Sequence, residues 1–367
     1  MYHLERFSNY NTLILINQGP AAYFLLADLK PLKKGTGPHK PGRRPKMEKK
    51  MKTLYVALVT ILLFSMLLMP LLSAQEPVSA ETGMSLNDAG NASPKDGFLV
   101  YLSDKKATYR ISADDYVFGV VAACCPADYN TEALKAEAVA AYSLAAYMQN
   151  QRGTKQFDLN DTDQGYIYGD ALKTKWGDKY EEYKKKVEEA VAAVKGYIIT
   201  YENKPAYTVR HNISGGNTEK ASTVLGQDYP YLTSVESVGD LLAPDYLSEV
   251  TLEAAKFKEI CTSLECTMTD DPSKYIEGSL KSDVGTVLNY KICGKELTGV
   301  QLKNAFQLRS TNFELKYADG KFTFTVKGDG DGVGMSRWGA NYMAMQGSSY
   351  AEILSWYYPG CTMTKEQ

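Results

Sequence analysis

The stretch Ile111–Asn150, ISADDYVFGVVAACCPADYNTEALKAEAVAAYSLAAYMQN, decides how the rest of the chain is read. It begins with an apolar approach (Tyr116, Val117, Val120, Val121) and a small-residue corner, Ala122-Ala123-Cys124-Cys125-Pro126. Pro126 bars helix through that corner and pushes Cys125 towards extended geometry. Asn130 or Thr131 can cap a following helix, with Glu132 in its electropositive first turn. Leu134, Ala138, Ala141, Ala145 and Met148 recur at helical spacing, so one face is apolar while Glu132, Lys135 and Glu137 are expected to stay wet. The corner thus reads as strand-to-helix, with two thiols just ahead of a helix N-terminus, a place where reactive groups are often held. A merely well-packed corner is the competing reading.

Upstream, Phe98, Val100 and Leu102 alternate as one strand, Ser103-Asp104 marks a turn, and Ala107–Ile111 reads as a second strand. Downstream, Gln151–Trp176 is polar and loop-like, suited to a cleft rim. Tyr180–Val194 is an amphipathic helix with Gly196 at its end, and Tyr197–Tyr201 with Pro205–Arg210 forms a hairpin. Ser214-Gly215-Gly216-Asn217 follows, where paired glycines let a ligand approach the backbone. Tyr207, Tyr229 and Tyr231 offer stacking faces for sugars, or simply fill core and hairpin positions. Ser248–Thr262 is expected to be helical, Gly285–Val300 to hold short strands or turns, and Gln301–Phe306 to be a short helix. Strands at Phe313–Tyr317 and Lys321–Val326 lead to Gly328-Asp329-Gly330-Asp331-Gly332-Val333-Gly334-Met335-Ser336. That run suits an anion-binding nest but lacks the Gly-Lys-Ser/Thr ending of a phosphate loop, so nucleotide binding is not expected. Helices at Ala340–Gln346 and Tyr350–Tyr358 close the chain. Without regular βαβ alternation, the fold class is α+β: a mixed sheet and hairpins around an Ala-rich central helix that flanks a cleft.

Three blocks carry a family resemblance: DDYVFGVVAACCPADYNTEALKAEAVAAYS, HNISGGNTEKASTVLGQDYPYLTSVESVGD from His211, and GDGDGVGMSRWGANYMAMQGSSYAEILSWYY from Gly328. In order and spacing they resemble the SpoIID/LytB family, the stage II sporulation protein D and amidase-enhancer proteins. The resemblance runs from about residue 96 to the end. It implies a cleft that holds cell-wall glycan strands, and in the sporulation branch a lytic transglycosylase acting during engulfment with amidase and membrane partners. Two departures matter. The family's corner normally reads Ala-Ala-Glu-Met-Pro with the glutamate as catalytic acid, and here that position is Cys124. The family's Gly-His-Gly-Val-Gly-Met-Ser-Gln has Asp331 in place of histidine and Arg337 in place of glutamine.

A lytic transglycosylase needs one group that protonates the glycosidic oxygen and then takes the proton of the muramyl C6 hydroxyl. A carboxyl with a burial-raised pKa does this well. A thiol does not: its reference pKa is about 8.5 and it donates weakly. Three readings follow. The cleft binds glycan with catalysis lost; or Asp331 or another acid (Asp114, Asp115, Glu132, Glu137) supplies the proton; or Cys124/Cys125 with His211 forms a thiol nucleophile pair for a wall hydrolase or transacylase. The candidate catalytic positions are Cys124 and Asp331. The candidate substrate-binding positions are Ser214, Gly215, Gly216, Asn217, Gly332, Gly334 and Ser336.

No cofactor is expected. Metal is not expected either, since there is no Cys-x2-Cys, and the ligands that some relatives carry have no counterpart in Gln151–Trp176. The six cysteines are even in number and permit disulfides in an exported body, with Cys261–Cys266 the most local pair.

Charge is divided along the chain. Residues 1–52 carry 11 Lys/Arg against 3 Asp/Glu, and the remainder 30 against 40, an acidic body that argues against nucleic-acid binding. Thr53–Ala74 is an uncharged apolar run long enough to span a bilayer, with Arg43, Arg44, Lys46, Lys49, Lys50 and Lys52 crowding its upstream side. The expected organisation is therefore fourfold. Residues 1–46 are a mis-called start or disordered tail, with Met47 or Met51 as natural starts. Residues 47–74 are a single-pass anchor or, if cleaved after Ala74 or Ala80, a signal sequence. Residues 75–95 are a flexible linker, and 96–367 the extracytoplasmic body.

Overall fold

The computed structural model describes residues 97–153 and 156–366. The expected tail, anchor and linker lie outside the described residues, and no helix among those described is long and apolar enough to cross a membrane. The body is α+β, built of several small sheets around a central helix.

The amino-terminal hairpin forms as its alternation requires. Strand β1 (Phe98–Leu102) pairs antiparallel with β2 (Ala107–Ile111), and Phe98, Val100 and Leu102 point into the core. Helix α1 (Ala113–Cys124) follows directly, capped by Ser112, whose hydroxyl accepts the Asp115 N–H at 3.1 Å. The expected strand-to-helix corner is therefore corrected to a helix-to-helix corner. The sequence hid this because α1 is apolar on nearly every side and rich in β-branched valine, so it shows little amphipathic contrast. Pro126 ends it as expected, and Cys125 is extended (φ −104°, ψ 142°).

Helix α2 (Thr131–Asn150) is capped by the Asn130 side chain, which accepts the Glu132 N–H at 3.0 Å. From Ala133 to Ala146 it is buried at every position except Lys135. Its run of alanines lets α1, α4 (Tyr180–Ala193), strand β4 (Tyr197–Tyr201) and the two carboxy-terminal helices all lie against one axis. Between α2 and α4, β3 (Leu159–Asn160) joins β1 in parallel and α3 (Asp170–Trp176) turns back towards the corner. The expected cleft-rim loop thus carries short elements of its own. Tyr166 from this loop lies so close over Gly119 of α1 that a Cβ there would sit 2.3 Å from its ring.

Strand β4 turns through Glu202-Asn203, both at positive φ, into β5 (Lys204–Pro205), while β14 (Thr362–Lys365) flanks its other edge. The expected second strand at Pro205–Arg210 is shorter than that. Its far end, β6 (Arg210–His211), instead pairs in parallel with β13 (Met335–Ser336). Between them in sequence come the single turn α5 (Ala221–Val224) and an inserted lobe. The lobe begins with β7 (Leu247–Glu253) and ends with β12 (Lys321–Lys327), and Leu247 pairs with Lys327, so the chain enters and leaves side by side. The helix expected at Ser248–Thr262 is corrected to β7 followed by α6 (Ala254–Ser263), because Ser248, Val250 and Leu252 alternate against the edge of β12.

The lobe also contains β8 (Ile276–Lys281), β9 (Val287–Ile292), β10 (Lys295–Thr298), α7 (Gly299–Phe306) and β11 (Phe313–Ala318). It has its own core, in which Phe257 stacks on Phe322 with ring centroids 3.8 Å apart and Phe306, Phe313 and Phe324 close the sides. Full burial of each ring is worth about 1.5–3 kcal/mol. Helices α8 (Arg337–Met345) and α9 (Tyr350–Tyr357) then return to α2, broken at Gly347 as expected.

Candidate functional site

The corner, the SGGN loop and the glycine-rich run converge, and one buried ionic cluster holds them together. Cys124 is the last residue of α1, and its thiol donates to the Gln164 carbonyl at 2.9 Å. Gly165 lies directly over the sulfur. Behind it, the Lys175 ammonium of α3 donates to the last carbonyls of α1, those of Ala122 (2.7 Å) and Ala123 (2.6 Å). Burial pushes the Cys124 thiol above its ordinary pKa, against the pull of Arg337, Arg210 and Lys175. The helix end adds to this, since a C-terminus disfavours an anion. Cys125 is fully buried in the core and pushed up further.

Beneath the corner lies Glu137, which the helical pattern had placed in water and which is corrected to 1% exposed. Its Oε1 accepts from Arg210 Nε at 2.9 Å and from Arg337 Nε at 3.3 Å. Burial raises its pKa, but Arg210 and Arg337 overcome that and hold the carboxyl below its ordinary value. It is therefore an ionised clamp and is poorly suited to donate a proton. Its Oε2 is buried without a hydrogen-bond partner among the described residues. Arg210 continues to Gln164 Oε1 (2.8 Å) and the Thr208 carbonyl (3.0 Å), while Arg337 Nη1 reaches Asn212 Oδ1 (2.9 Å). Cys124, through Gln164 and Arg337, is thus tied to the segments leading into both glycine-rich blocks.

Asp240 locks those blocks together. Its Oδ2 accepts the Ser214 N–H at 2.9 Å and its Oδ1 accepts the Ser336 hydroxyl at 2.7 Å. Ser336 also caps α8, and both serines are buried. Gly216 donates its N–H to Ser214 Oγ (3.1 Å), Gly215 abuts the Asn312 side chain, and Asn217 bridges to Glu236. At Gly334 (φ +73°) a Cβ would stand 2.0 Å from the Val209 carbonyl oxygen. Close packing of one loop on another accounts for that glycine. Gly332 is less crowded, with Glu219 Cβ 3.5 Å from the Cβ it would carry, and it stays half-buried beside Asp331.

Asp331 is half-buried, and its Oδ1 accepts the Val333 N–H at 3.0 Å. Its charge acts on both His211 and Tyr207. Tyr207 stacks on Tyr229 (centroids 4.9 Å apart), and the Tyr147 and Tyr229 hydroxyls meet at 3.1 Å, giving this wall an aromatic face. His211 Nδ1 lies 3.0 Å from the Val333 carbonyl, and its Nε2 is buried without a hydrogen-bond partner among the described residues. Burial holds the imidazole neutral, with a pKa below its ordinary value despite Asp331 and Asp240. Among the described residues no hydrogen bond joins either thiol to the imidazole, so the nucleophile pair weighed from the sequence is not assembled. The thiol also sits at a helix C-terminus rather than the expected N-terminus.

Sequence reasoning missed Arg210, Lys175, Gln164 and Asp240, and misplaced Glu137. Glu137 carried a readable signal, since it lies one turn from Leu134 and from Ala141 on the stripe assigned to the core. Among the described residues no group of side chains would hold a metal ion, and all six cysteines are free thiols, Cys261 and Cys266 included.

The comparisons agree with this architecture. Residues 101–201 match the SpoIID family, described as stage II sporulation protein. The chain is 35% identical over 272 residues to stage II sporulation protein D of Bacillus amyloliquefaciens, covering 72% of this chain and 78% of that protein. It is 33% identical to the protein of the same name in Bacillus subtilis strain 168, with the same coverage. An amidase enhancer of Bacillus subtilis strain 168 is 26% identical over 296 residues, 67% of this chain and 40% of that protein.

Proposed function

Because this chain belongs to the stage II sporulation protein D family, with a role in sporulation at the cell wall, we propose that it binds peptidoglycan glycan strands without cleaving them. The strand lies between the Cys124 corner and the wall formed by Asp331, Tyr207 and Tyr229. The single observation that carries this reading is the state of residue 124. A protonated thiol bonded to a backbone carbonyl stands where the family's acid would stand. The carboxyl beneath it, Glu137, is held ionised by two guanidinium groups. Neither group can give a proton to a glycosidic oxygen and take one back near neutral pH.

The remaining features fit a holding role. Stacked tyrosines present flat apolar faces with hydroxyls at their rims, the pairing that sugar rings accept. The apolar run Thr53–Ala74 would anchor the body outside the membrane, within reach of the wall, where it works beside amidase and membrane partners. Sedimentation of the purified protein with sacculi tests this. The protein is expected in the pellet, with Tyr207→Ala and Tyr229→Ala weakening retention. Retention at background level would overturn the reading.

One observation favours a second reading, a lytic transglycosylase using Asp331. This carboxyl is half-buried beside the aromatic wall, and its Oδ2 makes no hydrogen bond among the described residues. It leaves a product signature, 1,6-anhydromuramyl ends, that depends on Asp331.

A further inference from the structure

Three thiols lie in the inserted lobe, outside the site described above. Helix α6 ends in a Schellman turn: Glu265 is left-handed (φ +63°), its N–H donates to the Thr262 carbonyl at 2.8 Å, and the Cys266 N–H donates to the Cys261 carbonyl at 3.0 Å. In this motif the side chains at those two outer positions pack on each other. Here both are cysteines, and both are buried in the lobe's aromatic core. The backbone path across that hydrogen bond holds their α-carbons within about 7 Å even at full stretch, near the upper bound of about 6.8 Å for a disulfide, and the turn draws them closer.

We propose that Cys261 and Cys266 join as a disulfide when the lobe meets an oxidising medium, stapling the end of α6 to its own cap. The chemistry is thiol–disulfide exchange with a small-molecule disulfide. The Cys266 thiolate attacks one sulfur of the donor and releases the first donor thiol. The Cys261 thiolate then attacks the mixed disulfide and releases the second. Two protons leave the protein thiols and appear on the two released donor thiols. Burial raises the Cys266 thiol too, but the Lys295 ammonium, bonded to the Leu264 carbonyl (2.7 Å) and the Glu265 carboxylate (3.1 Å) beside its loop, opposes that rise, so Cys266 is the first attacker. Cys261 has no such neighbour, and burial pushes it up to about 12.

Cys293 is the third thiol. It sits half-buried at positive φ in the β9–β10 turn, with its N–H committed to the Tyr275 carbonyl. Its sulfur is near enough to raise the pKa of both other thiols, but among the described residues no backbone hydrogen bond of the Cys261–Cys266 kind ties it to either. The Schellman turn gives Cys261 and Cys266 the shortest backbone path, so the staple joins these two and leaves Cys293, the nearby competitor, free. This goes beyond the wall-binding reading, and a failed sacculus assay leaves the thiol map untouched.

The test uses the full chain in detergent, equilibrated with glutathione at a series of oxidised-to-reduced ratios. Free thiols are alkylated and digests are read by mass spectrometry with and without reduction. Expected are joint loss of Cys261 and Cys266 alkylation, a linked peptide two hydrogens lighter, and continued alkylation of Cys293. The oxidised lobe is expected to melt about 4–8 °C higher. Cys293→Ser is expected to leave the link intact. Persistent alkylation of both cysteines at the most oxidising ratio, or a bond from either to Cys293, would overturn the proposal.

Discussion

Replacing Glu137 by glutamine probes the cluster that holds the corner and the glycine-rich blocks in place. At an effective dielectric constant of about 20, each contact to Arg210 (2.9 Å) and Arg337 (3.3 Å) is worth about 5–6 kcal/mol of Coulomb attraction. Desolvation of three buried ions offsets most of that, so the intact cluster contributes little net stability. Breaking it is a different matter. Glutamine leaves two guanidinium groups, with side chains 2% and 13% exposed, facing no counter-charge. A loss of about 3–5 kcal/mol is expected.

The double variant Glu137→Gln/Arg337→Gln removes one of the stranded cations and should recover part of that loss, with a coupling energy above about 1 kcal/mol. Urea denaturation read by tyrosine and tryptophan fluorescence measures all four corners of the cycle. The pH dependence gives a second check. Glu137 has its folded pKa below the ordinary 4.5, so its contribution is present above about pH 4.5 and is lost as pH falls through the folded value. Glu137→Gln should therefore flatten the acid limb of the stability curve. A loss under about 1 kcal/mol, with an unchanged acid limb, would refute the clamp.

Three further expectations follow from single side chains. The imidazole of His211 is buried neutral and its folded pKa lies below 6.5, so native stability should begin to fall as pH drops below about 6.5; in His211→Gln that decline should be absent in urea titrations between pH 7 and 5. Gly334→Ala drives a Cβ into the Val209 carbonyl at positive φ, and a loss of about 2–4 kcal/mol in thermal unfolding is expected, against about 1 kcal/mol for Gly153→Ala, where the added atom meets open space and only the left-handed backbone (φ +58°) is strained. The thiol of Cys124 should react with iodoacetamide at pH 7.5 at least tenfold more slowly than free cysteine, because burial and the helix end keep it protonated; a rate equal to or above the free thiol's would restore the nucleophile reading.

Local rules carried the reading of the sequence far. Pro126, the choice of Asn130 or Thr131 as cap and the alanine spacing located the start of α2 to within one residue, and the Phe98–Leu102 alternation located the first hairpin. Where an element depends on distant partners, the local pattern misled. Helix α1 is enclosed on nearly all sides, so its valines gave neither helical nor strand contrast. Strand β7 is an exposed edge whose alternation shows only against β12. The candidate site divides the same way. Cys124, Asp331 and the glycine-rich blocks were legible as motifs. The buried Glu137–Arg210–Arg337 cluster was not, because the three residues lie up to 200 positions apart and each looks like a surface charge by itself.

Binding without cleavage is decided by the products released from purified glycan strands. Wild-type protein is incubated with the strands and the muropeptide ends are counted by mass spectrometry, beside a Cys124→Glu variant that restores a carboxyl at the corner. The wild type is expected to give 1,6-anhydromuramyl ends at the level of the no-protein control, and Cys124→Glu to give more. Abundant anhydro ends from the wild type, abolished by Asp331→Asn, would contradict binding without cleavage.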